Sequence, residues 1–171
     1  VPQKGVLFSG TIASNIKFAG EENVSDEMMK EAAEIAQARE FIEGKKEAYE
    51  SPIAQGGTNV SGGQKQRLSI ARAIAGRPEI FLFDDSFSAL DYKTDAVLRK
   101  ALHEKISDAT VIIVAQRIST ILHADQIIVL DEGRIAGIGK HEELLRSCVA
   151  YQEIAKSQLS ESELKGGVRN E

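Results

Sequence analysis

The chain has 171 residues, 42% of them apolar and 27% charged, as expected of a globular domain with a core of its own. A net charge of −5 gives no reason to expect nucleic acid or an anionic membrane surface as a partner. No apolar run nears the ~20 residues of a membrane span, and the lone Cys148 rules out an internal disulfide and suits a reducing compartment. No signal peptide opens the chain. It begins in mid-phrase at Val1-Pro2-Gln3, without Met, and is expected to be part of something longer.

Residues 1–78 read mainly as helices and loops. Ser25 suits the N-cap of a helix over 26–38, with Asp26 and Glu27 at the positive end of its dipole. The glycines and Pro52 in 50–63 read as a loop. A mostly apolar helix over 64–75 follows, expected to be buried, and Gly76 and Pro78 mark its end. Residues 80–83 form a continuous apolar run, as in a strand covered on both faces. A helix over 92–106 carries a stripe of Leu98, Ala101, Leu102 and Ile106. Residues 110–115 are β-branched and predict a second buried strand. A short helix is expected over 119–124. Residues 126–130 and 134–138 flank Asp131-Glu132-Gly133, a hairpin signal. The alternation argues for an α/β domain with a partly parallel sheet. Beyond 141 come one or two short helices, and 160–171 have little to bury and are expected to be disordered. Cys148 reads as a small apolar packing residue.

Three clusters carry chemistry. In Val60-Ser61-Gly62-Gly63-Gln64 a serine and two glycines stand at the start of a helix. Unpaired N–H groups and the positive dipole end suit a phosphate there, and glycine lets a ligand approach the backbone closely. The same three residues also suit a plain helix cap. Asp84 and Asp85 end an apolar strand; a carboxylate so placed suits Mg²⁺ beside phosphates, and equally a solvated turn. Asp91 suits an N-cap for the helix that begins near Tyr92.

Here the chain resembles the ATP-binding-cassette family. The string from Val60 through Gln64 is similar to its signature motif, with Val where Leu is usual. It continues as Lys65-Gln66-Arg67-Leu68-Ser69-Ile70-Ala71-Arg72-Ala73. The resemblance implies an α/β fold, a partial RecA-like P-loop NTPase core with an α-helical subdomain. It implies a Q-loop and helical subdomain over 1–78, a core part over 79–158 and a disordered tail over 159–171. ATP and Mg²⁺ are the implied cofactors. Residues 80–85 resemble the Walker B strand, with Asp84 as the Mg²⁺ carboxylate. Gln3 resembles the Q-loop glutamine, which joins the metal and water network. The segment Ser88-Ala89-Leu90-Asp91 resembles the D-loop, which crosses a dimer interface. Ser61, Gly62, Gly63 and Gln64 would close over ATP held by a second nucleotide-binding domain, two domains sandwiching two nucleotides head to tail.

Beyond Val60, the residues depart from the family pattern at four places. Asp85 stands where the catalytic base is normally Glu, and its arm is one methylene too short for the reach that proton abstraction needs. Gln116 stands where His normally meets the γ-phosphate, and Gln cannot become a cation. Together Asp85 and Gln116 resemble the degenerate, hydrolysis-impaired half of a heterodimeric exporter. Gln55 replaces the usual Glu of a loop that touches the partner's membrane helices. The P-loop is missing: Gly137-Ile138-Gly139-Lys140-His141 lacks the earlier Gly, puts His141 where Ser or Thr must meet Mg²⁺ and follows a hairpin, so it is rejected as a decoy. His103, His123 and His141 lack metal-ligand spacing and read as surface or capping residues. The segment from Phe8 to Ile16 favours an exporter, with a transmembrane domain upstream and a place on the cytoplasmic face of the membrane. The alternatives are a soluble cassette ATPase of translation or DNA maintenance, and a non-hydrolysing regulatory clamp.

Overall fold

The computed structural model describes residues 1–159 apart from Ala19, Glu21 and Ser107, so the expected tail over 160–171 lies outside the described residues. Contacts divide the chain between Val114 and Ala115 into two compact units.

The first unit is built around a long helix. Strand β1 (Gly10–Thr11) leads into α1 (Ile12–Lys17), where Thr11 and Ser14 cap one another reciprocally. Ser25 caps α2 (Asp26–Ile35) as its type predicts, accepting from the Met28 N–H at 3.2 Å. The helix stops short of residue 38 because Gln37 turns into the left-handed region, at φ 56°. Helix α3 (Arg39–Glu43) follows. The glycine-rich loop contains a two-residue strand, β2 (Pro52–Ile53), paired antiparallel with β1.

Helix α4 (Gly62–Ala75) begins two residues earlier than its apolar run predicts, so Gly62 and Gly63 are its first two residues rather than a preceding turn. The cause is Ser61. Its Oγ accepts from the Gln64 N–H at 3.2 Å, and Gln64 Oε1 accepts from the Ser61 N–H at 3.1 Å. Leu68, Ile70, Ala71, Ile74 and Ala75 are buried against α1 and α2, as the apolar run predicts, and Ala73 is half-buried.

Strand β3 (Ile80–Asp84) runs parallel to β4 (Thr110–Val114), in register from Ile80 opposite Thr110 to Asp84 opposite Val114. Between them, α5 (Tyr92–Lys105) buries Leu98 and Leu102 on its predicted stripe. The expectation that both strands are buried on both faces is not met. Phe81 and Phe83 point into the core, but Ile80 is 62% and Leu82 54% exposed. On β4, Val111, Ile112 and Val114 are exposed as well. The apolar composition is that of a covered strand, but among the described strands β4 pairs with β3 alone.

In the second unit α6 (Ile118–Ile121) precedes an antiparallel hairpin of β5 (Ile127–Asp131) and β6 (Arg134–Gly139). Its two-residue loop, Glu132-Gly133, has both φ angles positive (46° and 76°), the turn whose twist matches paired strands. Helices α7 (His141–Ser147) and α8 (Val149–Gln158) pack on the hairpin around buried Leu144, Cys148 and Tyr151. Gly137 explains itself here: a Cβ on it would meet Leu144 Cδ2 at 2.9 Å and Cys148 Sγ at 3.0 Å. His141 Nδ1 lies 2.8 Å from the Tyr151 hydroxyl, whose pKa burial pushes up to about 12. The glycines and Lys140 of the decoy motif therefore serve a hairpin and a helix start. No helix among the described residues is long and apolar enough to cross a membrane.

Candidate functional site

Two helix or strand ends in the first unit carry most of the residues that the sequence singles out. At the first, the capping box uses the N–H groups of Ser61 and Gln64, which leaves those of Gly62 and Gly63 without a partner inside the helix. A Cβ on Gly62 would touch nothing within 4 Å, and one on Gly63 only the Ala89 carbonyl, at 3.7 Å. Glycine in a helix costs up to about 1 kcal/mol relative to Ala, and no neighbour among the described residues requires it at Gly62. Among the described residues the surroundings of Gly62 are therefore open, as close approach by an external group needs.

Ala89 brings the second segment alongside. Asp91 caps α5, its carboxylate accepting from the Thr94 N–H at 2.9 Å and from the Thr94 hydroxyl at 2.7 Å. The Thr94 bonds hold its pKa below the usual carboxylate range. Arg67 of α4 is partly desolvated, which lowers its pKa, while the Asp91 charge acts against that.

The second end is the C-terminus of β3. Asp84 is exposed; Asp85, half-buried, takes φ 45°, a conformation that Asp tolerates better than most residues. The Asp85 N–H donates to the Val114 carbonyl at 2.9 Å, and the Ser88 hydroxyl donates to the Asp85 carbonyl at 2.8 Å. Gln3 Nε2 donates to Asp85 Oδ2 at 3.0 Å, across 82 residues of sequence. The Gln3 amide and the Asp85 carboxylate thus meet at this strand end, with Asp84 the preceding residue, and hard oxygen donors of this kind suit Mg²⁺.

Gln116 belongs to the second unit. Its carbonyl accepts from Gln158 Nε2 at 2.8 Å, and Gln158 Oε1 accepts from the Ile118 N–H at 2.8 Å. Gln55 is exposed in a short turn where Gly56 and Gly57 both take positive φ, and Lys65 of α4 donates to the Gly56 carbonyl at 2.7 Å.

Sequence reasoning passed over three side chains that hold these segments in place. Gln66 bonds the loop around Gln3. Gln158 bonds the segment around Gln116. Arg72, partly desolvated so that its pKa falls, donates to the Asn15 and Val6 carbonyls at 2.8 and 2.9 Å and lies 5.0 Å above the Phe8 ring. Gln66 and Arg72 are two of several polar residues on α4, with Gln64, Lys65, Arg67 and Ser69, so residue type alone did not single them out and named no partner.

A family-wide sequence profile for the ABC transporter family matches residues 1–88. The chain belongs to the ABC transporter family. An uncharacterized ABC transporter ATP-binding protein of Mycobacterium bovis is 49% identical over 170 residues, 98% of this chain and 29% of that protein. A Staphylococcus aureus protein whose name assigns it to multidrug export, as an ATP-binding/permease protein, is 41% identical over 154 residues, 90% of this chain and 26% of that protein. Among solved structures, a bacterial Atm1-family ABC exporter with ATP bound superposes with a TM-score of 0.89 at 38% identity, over 94% of this chain and 28% of that one. The fold is therefore that of an ABC ATPase domain of an exporter, its helices and small sheets forming part of a RecA-like core. The chain spans less than a third of the length of these relatives.

Proposed function

We propose that this ABC chain is part of an ATP-binding and ATP-hydrolysing domain that powers export across a membrane, and that it contributes to two different nucleotide sites. At its own site Asp84 and Gln3 would hold Mg²⁺, and Asp85 and Gln116 would take the catalytic roles that the family resemblance assigns to their positions. The metal would neutralise phosphate charge there. The lysine-bearing phosphate loop would come from outside these 171 residues. Asp85 has a short arm and Gln116 carries no charge, so this site would bind nucleotide and hydrolyse it slowly. Ser61, Gly62, Gly63 and Gln64, beside Asp91, would instead close over ATP held by a second nucleotide-binding domain, whose different composition would make the pair a heterodimer. A transmembrane domain in the same polypeptide would place the chain on the cytoplasmic face of the membrane. Multidrug export, in the name of the Staphylococcus aureus relative, is the substrate class carried over; no nucleic-acid partner is included.

The observation that carries this reading is the 3.0 Å bond from Gln3 to Asp85, which sets a proposed Mg²⁺ ligand against the proposed catalytic carboxylate from positions 82 residues apart. The reading is tested by Asp84→Asn in the full-length protein, with ATP binding titrated against Mg²⁺. Loss of the Mg²⁺ dependence is expected. An unchanged dependence would remove Asp84 from the site.

A further inference from the structure

Gln66 is 1% exposed, the largest polar side chain buried in α4. Both ends of its amide are used, and by the same short segment. Its Oε1 accepts from the Gly5 N–H at 2.8 Å, and its Nε2 donates to the Pro2 carbonyl at 3.1 Å. A backbone N–H needs an acceptor and a carbonyl needs a donor, so only one orientation of the amide satisfies both. The segment lies tightly on the helix there: a Cβ on Gly5 would meet Ser69 Oγ at 2.7 Å and the Lys65 carbonyl at 3.0 Å. On its other side the Val1 carbonyl accepts from the Asp84 N–H at 2.9 Å and from the Ser86 hydroxyl at 2.7 Å. Gln3 stands between these two attachments, and its own side chain reaches Asp85.

We propose that Gln66 is a positioning residue for the metal site: its amide holds residues 2–5 so that Gln3 stays against Asp85, and it fastens that site to the helix whose first turn is Ser61–Gln64. The proposal rests on the reading of Gln3, Asp84 and Asp85 given above. It adds a rigid link between a site this chain would use itself and a helix end it would offer to another. Gln66 lies five residues after Ser61, about 7.5 Å along the helix axis at 1.5 Å per residue. When that helix end engages a ligand and α4 shifts, residues 2–5 shift with it, and Gln3 moves relative to Asp85.

The test uses the full-length protein and reads binding as well as turnover. Photolabelling by 8-azido-ATP is titrated with Mg²⁺ in four variants: Gln3→Ala, Gln66→Met, the two combined, and Gln66→Glu. Met keeps the volume and removes both bonds. Residues that orient metal ligands typically change metal affinity about 10–100-fold when lost, so Gln3→Ala and Gln66→Met are each expected to raise the half-saturating Mg²⁺ about 10-fold. The combined variant is expected to match Gln3→Ala alone. The Gln66→Glu variant should behave like Gln66→Met at about pH 8 and return toward the native value at about pH 6. A buried carboxyl protonates readily, and its neutral form donates to Pro2 while still accepting from Gly5.

Additive effects in the combined variant would overturn the proposal, since they would mean that Gln66 merely loosens the fold. So would a native Mg²⁺ titration in Gln66→Met where Gln3→Ala is impaired. A native titration in Gln3→Ala itself would sink the reading of Gln3, and this proposal with it. Should Gln66→Met fail to fold, Gln66→Glu decides: a pH-independent defect overturns the proposal.

Discussion

At the start of α4, a methyl group added to Gly62 would meet nothing within 4 Å. At the end of β3, Asp85 is bonded through its N–H to Val114, through its carbonyl to Ser88 and through its carboxylate to Gln3. The two ends belong to one compact unit, yet one faces outward and the other is wired inward. An inward-wired end can be explained by the fold that contains it. An outward end with two glycines is best explained by something that arrives from elsewhere.

The substitution expected to do most against this contrast is Gly62→Asp. The fold leaves room for it, and an acidic residue in the first turn suits the helix dipole, so the melting temperature should hold. Activity should not. Losing one preorganised donor to developing phosphate charge typically costs about 10²–10³-fold in rate, and a carboxylate there also repels phosphate. Single-turnover hydrolysis in the full-length protein checks this, with the loss expected at the partner's site. Near-normal turnover would mean that the open end of α4 receives no phosphate.

Asp85→Glu combined with Gln116→His tests the inward end. A positioned base contributes about 10²–10⁴-fold, so turnover at this chain's own site should rise by about 10²-fold. No rise would mean that slowness there, if measured, has a cause other than reach and charge.

A pair of glycines sharpens the contrast in stability alone. Ala at Gly62 should be neutral or stabilise by a few tenths of a kcal/mol, because only helix propensity changes. Ala at Gly137 should cost about 1–3 kcal/mol, because its methyl would press on Leu144 and Cys148. Urea unfolding of both variants decides whether open and packed glycines differ as described.

The smallest expected effect concerns acid. The Thr94 bonds depress the folded pKa of Asp91 below its unfolded value. Its contribution is therefore present above about pH 4 and is lost as pH falls through the folded value. Replacing Asp91 by Asn should lower stability above about pH 4 by a constant amount and flatten the acid limb below it, leaving the slope above about pH 5 unchanged. An identical acid limb in both proteins would assign the loss to other carboxylates.

Local features were legible beforehand. Ser25, Ser61 and Asp91 cap the helices that their types announce, Gly76 ends α4, and the Glu132-Gly133 turn joins two strands, because each depends on residues within one turn of itself. The exact start of α4 was missed by two residues, since apolar periodicity cannot see a capping box that takes glycine into the helix. Residue types alone did not show the exposure of β3 and β4. Side chains such as Ile80 and Val111 record the surroundings that suit them, not those present in the chain. At the candidate site, residue types pointed to Gln3, Asp84 and Asp85, but nothing local could say that Gln66 holds Gln3 in place. That link spans more than sixty positions and rests on one amide.

Gln158 has a similar long reach, and its energetics run the other way from its appearance. Its two bonds join residues 40 and 42 positions apart. Closing a flexible loop of that length costs about 3 kcal/mol in chain entropy, whereas two such bonds return about 1 kcal/mol each. They cannot close the loop unaided. Burial of Leu144, Cys148 and Tyr151 between hairpin and helices has to bring the ends together first. With the ends brought together, the Gln158 amide fastens residues 116–118, so protection of the Ile118 N–H from hydrogen exchange would report whether the second unit has fully assembled.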